Sequence, residues 1–597
     1  MPARGSRPAS PPGRLPLGAH PDASGTTFVA WTTTAREVAV RLYSSAPSDK
    51  DARTVPLDAK GNGRFESHVD GVLPGALYMF VLDGDETPDP YARFMPSGVH
   101  GPARVTTHVR MEGLANPASP SQWSIYELHV GTFSPEGTYR GAQALLASVA
   151  ELGFTAIEIL PVAAFPGERG WGYDGVALYA PYAPYGEPDD LRALVSHAHG
   201  LGLAVVIDVV YNHFGPSGNY LWKYSPAYFT KEVETPWGPA PDFAHTPMRS
   251  LVVENARYWL EEFGADGLRL DATHAIHDTS KEHVLHEITA LAHAMKPPRR
   301  VFFEDERNDP MVVRELGADG VWADDFHHQV HVLLTGERDG YYEAYEPTLA
   351  SLAKAISQGW TYIGQPYPPW KGKPRGKSPR ELGVPPQSLV FCIQNHDQVG
   401  NRALGNRLSQ QIDVDAYCAA SVLLLFLPMT PLVFMGQEWA STSPFLFFSD
   451  HEGDLGEAVR KGRREEFKTF AAFADPAVRD EIPDPQAKST FEASKLVWEE
   501  RKSEPHTRVL ATYRAMLSLR RTDPVLSVAS RWEDFEAIAH GDVLEVVRRA
   551  GSDTRRLFVS FSDREEKIDR RDGRVVFASG VFHDEHLAPC GAVILAG

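Results

Sequence analysis

Four short stretches carry residues that could do chemistry together. In LRLDA, Arg269 and Asp271 are two positions apart. On a strand they share a face, which sets a guanidinium beside a carboxylate and favours the ionised form. An ionised carboxylate is what attack on an anomeric carbon requires. Alone, the pair could equally be a structural ion pair. In VFFEDE, apolar residues lead into Glu304. Partial burial there would raise its pKa, as a general acid requires. Asp305 and Glu306 follow at once, so spacing alone does not select Glu304. In QNHDQ, His396 and Asp397 could supply charged partners to neutral sugar hydroxyls, and an anion to a positively charged, sugar-like transition state. NHD could also be a turn. A metal site fits poorly if the stretch is a strand, because adjacent residues then face opposite ways. In DVVYNH, Asp208 is expected to steady the surroundings and His213 to bond a sugar hydroxyl.

These stretches need a scaffold that brings them to one place. From residue 125, short apolar runs alternate with amphipathic segments. The runs are 125–133, 156–162, 204–213, 267–272, 301–306, 320–326, 391–397 and 431–439. Eight strand–helix units predict a closed (β/α)8 barrel, with His213, Asp271, Glu304, Asp325, Asp397 and Glu438 at the C-terminal ends of its strands. An open doubly wound sheet would want a Gly-rich phosphate turn, and none is present. Between the third and fourth runs, Val252, Ala256, Trp259, Leu260 and Phe263 form one apolar stripe, with Gly264 as its C-cap.

The fold class is therefore α/β, a barrel flanked by two β-domains. The domains are expected at 1–13 (a disordered tail), 14–108 (an N-terminal β-sandwich), 109–530 (the barrel with loop insertions) and 531–597 (a small C-terminal β-domain). Alternation of Val38, Val40 and Leu42 supports the first β-domain, and that of Leu557, Val559 and Phe561 the second. Two insertions stand out, the basic, Pro-rich 371–386 and the long 443–490. The apolar run from Cys418 to Met435 is divided by Pro428 and Pro431. It is expected as a buried helix followed by a buried strand rather than a membrane span.

Composition excludes several classes of function. The net charge of −19 argues against nucleic acid as a partner. Three cysteines without a CxxC pair argue against a disulfide framework or structural zinc, and fit a reducing compartment. The first residues hold no apolar signal core, so a cytoplasmic location is expected. No cofactor and no metal are expected.

In the order DVVYNH, RLD, ED and NHD, the sequence resembles the α-amylase clan of glycoside hydrolases along nearly its whole length, PDPYAR (88–93) included. The resemblance implies that Asp271 is the nucleophile, Glu304 the acid/base and Asp397 the transition-state stabiliser. It implies that Tyr173 in WGYDG stacks on the reacting sugar, and that His213, Arg269 and His396 bind that sugar. Within the clan the likeness is to maltooligosyltrehalose trehalohydrolases. It is carried by 168–186, 211–221, DDFHHQVHVLLTGERDGYY (324–342), QNHDQVGNRALGNRL (394–408) and MGQEWASTSPFLFFSDH (435–451). Such enzymes cut the α-1,4 bond beside a terminal trehalose. Maltooligosyltrehalose is then the implied substrate, and a maltooligosyltrehalose synthase the pathway partner. Many α-amylases carry Lys-His where this chain has Thr273-His274, which fits an unusual leaving group. Asn212 often helps to bind calcium in amylases, but no further ligands accompany it. Asp325, His328 and Glu438 are the expected leaving-group contacts, and Trp171, Trp222, Tyr341 and Trp439 are candidates for distant subsites. A glycogen branching or debranching enzyme is the alternative, and a non-catalytic glucan-binding barrel a more distant one.

Overall fold

The structure, a computed structural model, describes residues 16–44, 52–115, 118–119, 122–235, 238–469, 471–473, 475–570 and 573–597. The expected N-terminal tail lies outside them. Eight parallel strands close into a barrel in sequence order, from Ile125–Leu128 to Thr430–Phe434, and Ile125 pairs with Leu432 to complete the ring. All eight expected strands are present.

Period-two alternation decides what each barrel strand shows to the inside. Ile125, Ala156, Ala204, Val206, Phe302, Trp322, Val390 and Leu432 form an apolar plug of their own, joined by Trp123 and Cys392. The alternate positions, among them Tyr126, Ile157, Val205, Ile207, Leu268 and Val301, pack outward into the main core. The same alternation turns Glu127, Glu158, Asp208 and Arg269 inward, towards the C-terminal ends. Glu127 is in register with Glu158, and Asp208 with Arg269.

The strands are shorter than the apolar runs. The third stops at Val209, the sixth at Trp322 and the seventh at Phe391. His213 therefore lies in a loop. Asp325 and His328 belong to the helix Asp324–Thr335. His396 and Asp397 open the short helix His396–Gly400, which Asn395 caps by accepting the Gln398 amide. Because they sit on a helical turn, the two side chains converge instead of facing opposite ways. His396 Nε2 is 3.5 Å from Asp397 Oδ2.

The helix Thr246–Glu262 buries the expected stripe, and Gly264 follows at φ +67°. The long apolar run resolves into the helix Val414–Phe426 and the eighth strand, both buried. Among the described residues, no helix is long and apolar enough to cross a membrane. Two antiparallel sheets precede the barrel, and Val38, Val40 and Leu42 lie in the core between them. A five-stranded sheet after residue 535 packs against the helix Val414–Phe426.

Candidate active site

Arg269, on the fourth strand, is the hub of the barrel mouth. It is fully buried. Its Nη1 donates to Asp208 at 2.9 and 2.8 Å and to Asp271 Oδ1 at 2.8 Å, and its Nη2 donates to Glu304 Oε2 at 2.6 Å. Asp271 and Glu304 each follow directly on a barrel strand. Between Asp271 and the next helical turn, Ala272 takes a left-handed φ of +37°, a costly conformation for a residue with a Cβ. That turn aims the Ala272 amide at Glu304 Oε2 (3.0 Å) and the Thr273 amide at the Glu304 carbonyl (2.8 Å). Asn212 Nδ2 donates to Asp271 Oδ2 at 2.7 Å.

The two carboxyl groups on this one guanidinium are pushed in opposite directions. Burial raises the Asp271 carboxyl, but Arg269, His213 and Asn212 outweigh it and hold the group below the usual carboxylate range. Burial lifts Glu304 well above that range, against Arg269 and with the help of Asp271 and Asp397. Both stay open to solvent, Asp271 with 13% and Glu304 with 21% of the side chain exposed. Asp397 is more open, at 32%.

A second chain of contacts runs across the mouth. The Tyr173 hydroxyl donates to Asp208 Oδ2 at 2.6 Å and lies 2.8 Å from His396 Nε2. Its ring stacks against His396 with centroids 5.2 Å apart. Gly172 lets Tyr173 reach this position. Its φ is +103°, and a Cβ there would lie 2.3 Å from the Pro161 carbonyl oxygen. His213 bonds the Tyr173 carbonyl through Nε2 at 2.9 Å and contacts Asn212 through Nδ1. His396 is buried, which works against its charge. The carboxylates of Asp397 and Glu127 prevail and push it up to about 10. No group of three or more metal-ligating side chains occurs among the described residues.

Known proteins share this chain's sequence and fold. Residues 16–92 match carbohydrate-binding module 48, the isoamylase N-terminal domain, and residues 88–228 match the alpha-amylase catalytic domain. A crystal structure from Salmonella typhimurium, assigned provisionally to alpha amylase, superposes with a TM-score of 0.89 at 38% identity, covering 97% of this chain and 99% of that one. A group B Streptococcus pullulanase holding maltotetraose shares the fold at 17% identity, with a TM-score of 0.74 over 98% of this chain and 88% of that one. The malto-oligosyltrehalose trehalohydrolase of Deinococcus radiodurans is 47% identical over 91% of this chain and 89% of its own length. The chain belongs to the malto-oligosyltrehalose trehalohydrolase family. The Saccharolobus solfataricus member is 38% identical over 85% of this chain and 87% of its own. A 1,4-alpha-glucan branching enzyme of Rhodococcus jostii matches only 43% of this chain and 39% of its own, at 34% identity.

Not every residue that the sequence singled out faces the open mouth of the barrel. Asp325 is fully buried and accepts five hydrogen bonds, from Arg375, Tyr345, Asn308 and the amides of Thr361 and Tyr362. None of its capacity is left for a sugar, so the expectation of a leaving-group contact fails on burial. Glu438 fails likewise. It is buried behind the eighth strand, where Tyr126 donates to its Oε1 at 2.9 Å. His328 is enclosed by the rings of Tyr341, Tyr342 and Tyr345, and burial pushes it down to about 3. Arg269 and His396 have almost no exposed surface, so neither is placed for the direct sugar contact expected of it. Trp171 and Trp439 are core residues, whereas Trp222 and Tyr341 are exposed.

Four residues of the mouth escaped the sequence reading. The sequence offers Asn212 only as the kind of residue that helps to bind calcium. Arg375 comes from the basic insertion, whose charge read as a surface property. Asp324 opens its helix partly exposed, and burial with the help of Asp397 pushes it up to about 6. Glu127 receives both the amide and the ring of His396, at 3.0 and 2.6 Å. The alternation in IYELHV could have marked Glu127 as inward-facing. Nothing local marks Arg375.

Proposed function

We propose that this chain is a retaining glycoside hydrolase that cleaves the α-1,4-glucosidic bond beside the terminal trehalose of maltooligosyltrehalose, releasing trehalose and a maltooligosaccharide. The observation that carries the chemistry is one buried arginine, Arg269, bonded to both Asp271 at 2.8 Å and Glu304 at 2.6 Å, in surroundings that push the first carboxyl down and the second up. Asp271, ionised, attacks the anomeric carbon while Glu304 gives its proton to the departing glycosidic oxygen. Glu304 then takes a proton from water, whose oxygen displaces Asp271 from the sugar. One guanidinium reaching both groups favours the close carboxyl spacing of retaining enzymes, about 5–5.5 Å, over the wider inverting one. Asp397 faces the positive charge that develops on the sugar ring. Tyr173 offers its ring to that sugar, and His213 stands beside it.

The substrate rests on the relatives, whose names specify malto-oligosyltrehalose over nearly the full length of this chain. A branching activity has only the shorter match. A substrate of this kind implies an upstream enzyme that forms the α,α-1,1 end, and a maltooligosyltrehalose synthase is the partner we assign. Unpaired Cys392, Cys418 and Cys590 support a cytoplasmic site of action.

The test compares maltooligosyltrehalose with a maltooligosaccharide of equal length. Trehalose release is expected from the first, with kcat/KM roughly ten- to a thousand-fold above that for the second. The new reducing end should appear as the α-anomer by NMR before mutarotation. Equal kcat/KM values would make this a general amylase, and early β-anomer would reject Asp271 as nucleophile.

A further inference from the structure

Inside the barrel, beneath the mouth, two glutamates face each other on neighbouring strands. Glu127 and Glu158 are in register on the first and second strands, and both are buried. Their surroundings differ sharply. Glu127 uses both oxygens on one residue. Its Oε1 takes the His396 ring Nδ1–H at 2.6 Å and its Oε2 the His396 amide at 3.0 Å. Glu158 makes no hydrogen bond to His396, and its Oε2 finds no hydrogen-bond partner among the described residues. Burial and the neighbouring Glu127 charge lift Glu158 well above the usual carboxylate range.

From Glu127 the contacts are continuous. His396 Nε2 reaches the Tyr173 hydroxyl, Tyr173 donates to Asp208, and Asp208 accepts from Arg269. Arg269 ends the chain on Asp271 and Glu304. While Glu127 is ionised, a charged ring with both nitrogens donating is the form of His396 that satisfies Glu127 and Tyr173 as Tyr173 donates onward. A neutral ring would have to give up one of these bonds. Tyr173 would then lose its fixed orientation, and Asp397 the cation at its flank.

We propose that Glu127 is a positioning residue of the catalytic face, which clamps His396 as an oriented cation and through it aligns Tyr173 and Asp397 on the reacting sugar. This deepens the proposed function and rests on it in one respect, that the sugar sits against Tyr173 and Asp397. Burial and the Glu127 charge favour the protonated form of Glu158, the second member of the pair. The charged or titratable groups around His396 are Glu127 and Glu158 on the first two strands, Asp208 and Arg269 on the third and fourth, Tyr173 and His129 on loops, and Asp397 on its own helix. Of these only Glu127 bonds the ring's Nδ1.

The test uses the full chain with Glu127→Gln and Glu158→Gln. Glutamine at 158 replaces a neutral acid by a neutral amide, so activity within about threefold of the parent is expected. Glutamine at 127 removes an anion, so the His396 ring should titrate about one to three pH units lower. Its kcat should fall tenfold or more at pH 8–9 and recover as pH is lowered through the new ring pKa, with KM much less affected. Ring NMR, with the His396 signal identified by its loss in His396→Gln, reads the titration directly. That reading holds whichever α-glucan the parent cleaves, so it separates a failure of this proposal from a failure of the substrate assignment. If Glu127→Gln does not fold, Glu127→Asp serves. It keeps the charge but not the reach, and should leave the ring charged at pH 8 while lowering kcat. An unchanged ring titration and kcat in Glu127→Gln, or full kcat in Glu127→Asp, would overturn the proposal. So would an equal loss in Glu158→Gln, since that points to packing alone.

Discussion

Two arginines stand at the same rim of the barrel, and each is buried against carboxylates. Arg375 serves one, Asp325, whose two oxygens are saturated by five donors. The rest of that guanidinium is spent on Tyr345, Asn308 and the Glu306 carbonyl. Charges balance, and no solvent reaches Asp325. Arg269 serves three, Asp208, Asp271 and Glu304, and its own Nε has no partner among the described residues. One cation shared by three acids cannot keep all of them ionised in a buried place. Proton affinities are therefore driven apart, Asp271 downward, Asp208 up to about 6 and Glu304 well upward, and of the three only Asp271 and Glu304 are open to solvent. The same ion-pair chemistry makes a brace where it is saturated and, where it is oversubscribed and exposed, the pair to which the proposed function assigns the reaction.

The largest effect expected from this contrast is on the oversubscribed side. Asp271→Asn and Glu304→Gln should each lower kcat roughly 10⁴-fold or more, because the lost interactions belong to the transition state. The thermal midpoint should hold or rise for Glu304→Gln, whose acid is pushed up by burial, and fall for Asp271→Asn, which loses its ion pair with Arg269. Azide should restore turnover to Asp271→Ala but not to Asp397→Asn. Near-normal turnover in Asp271→Asn or Glu304→Gln would dissolve the distinction. On the saturated side the expectation reverses. Asp325→Asn leaves the Arg375 cation uncompensated in the interior, at a cost of roughly 3–5 kcal/mol. The variant should melt earlier in calorimetry, while the folded fraction keeps kcat within a few-fold of the parent. A stable Asp325→Asn that loses only its preference for trehalose-ended substrate would return Asp325 to the leaving-group site.

What could be read from the sequence follows the same division. Barrel strands are short, apolar and evenly spaced, so all eight were legible, and with them the ends where chemistry gathers. Arg269 and Asp271 were legible as a pair because a strand repeats every two residues. Strand length was not legible. An apolar run continues smoothly into the first turn of a helix, so His396, Asp397 and Asp325 read as strand ends. That misreading put Asp325 in the cleft, whereas its helix buries it. Arg375 was out of reach for a different reason. It is 50 residues from Asp325 in the chain, and its basic segment has the composition of a solvated loop. Only the fold, by closing the Gln365–Tyr367 and Lys373–Arg375 pair of strands over the barrel rim, supplies its acid.

Glu438 offers the smallest and cleanest sharpening, because it is an acid with no arginine bonded to it at all. Tyr126 donates to one oxygen, and the other is enclosed without a partner among the described residues. Burial pushes it up to about 7. Its unfolded value should lie near the ordinary 4.3 of glutamate. The folded protein thus holds this proton more tightly than the unfolded chain does. The resulting stabilisation is fully present below about pH 4 and is lost as pH rises through 7, a change of about 4 kcal/mol. Asp271, held below its ordinary value by Arg269, contributes with the opposite sign, present at neutral pH and lost on acidification. Glu438→Gln keeps a neutral polar group of the same shape and removes the titration. Thermal midpoints measured from pH 5 to pH 8 should therefore fall less steeply for Glu438→Gln than for the parent, with the curves separating most above pH 7 and the variant the more stable there. Parallel curves would mean that Glu438 is ionised in the folded protein and satisfied by Arg407 or Arg501 nearby, a second brace like Asp325 rather than an isolated buried acid.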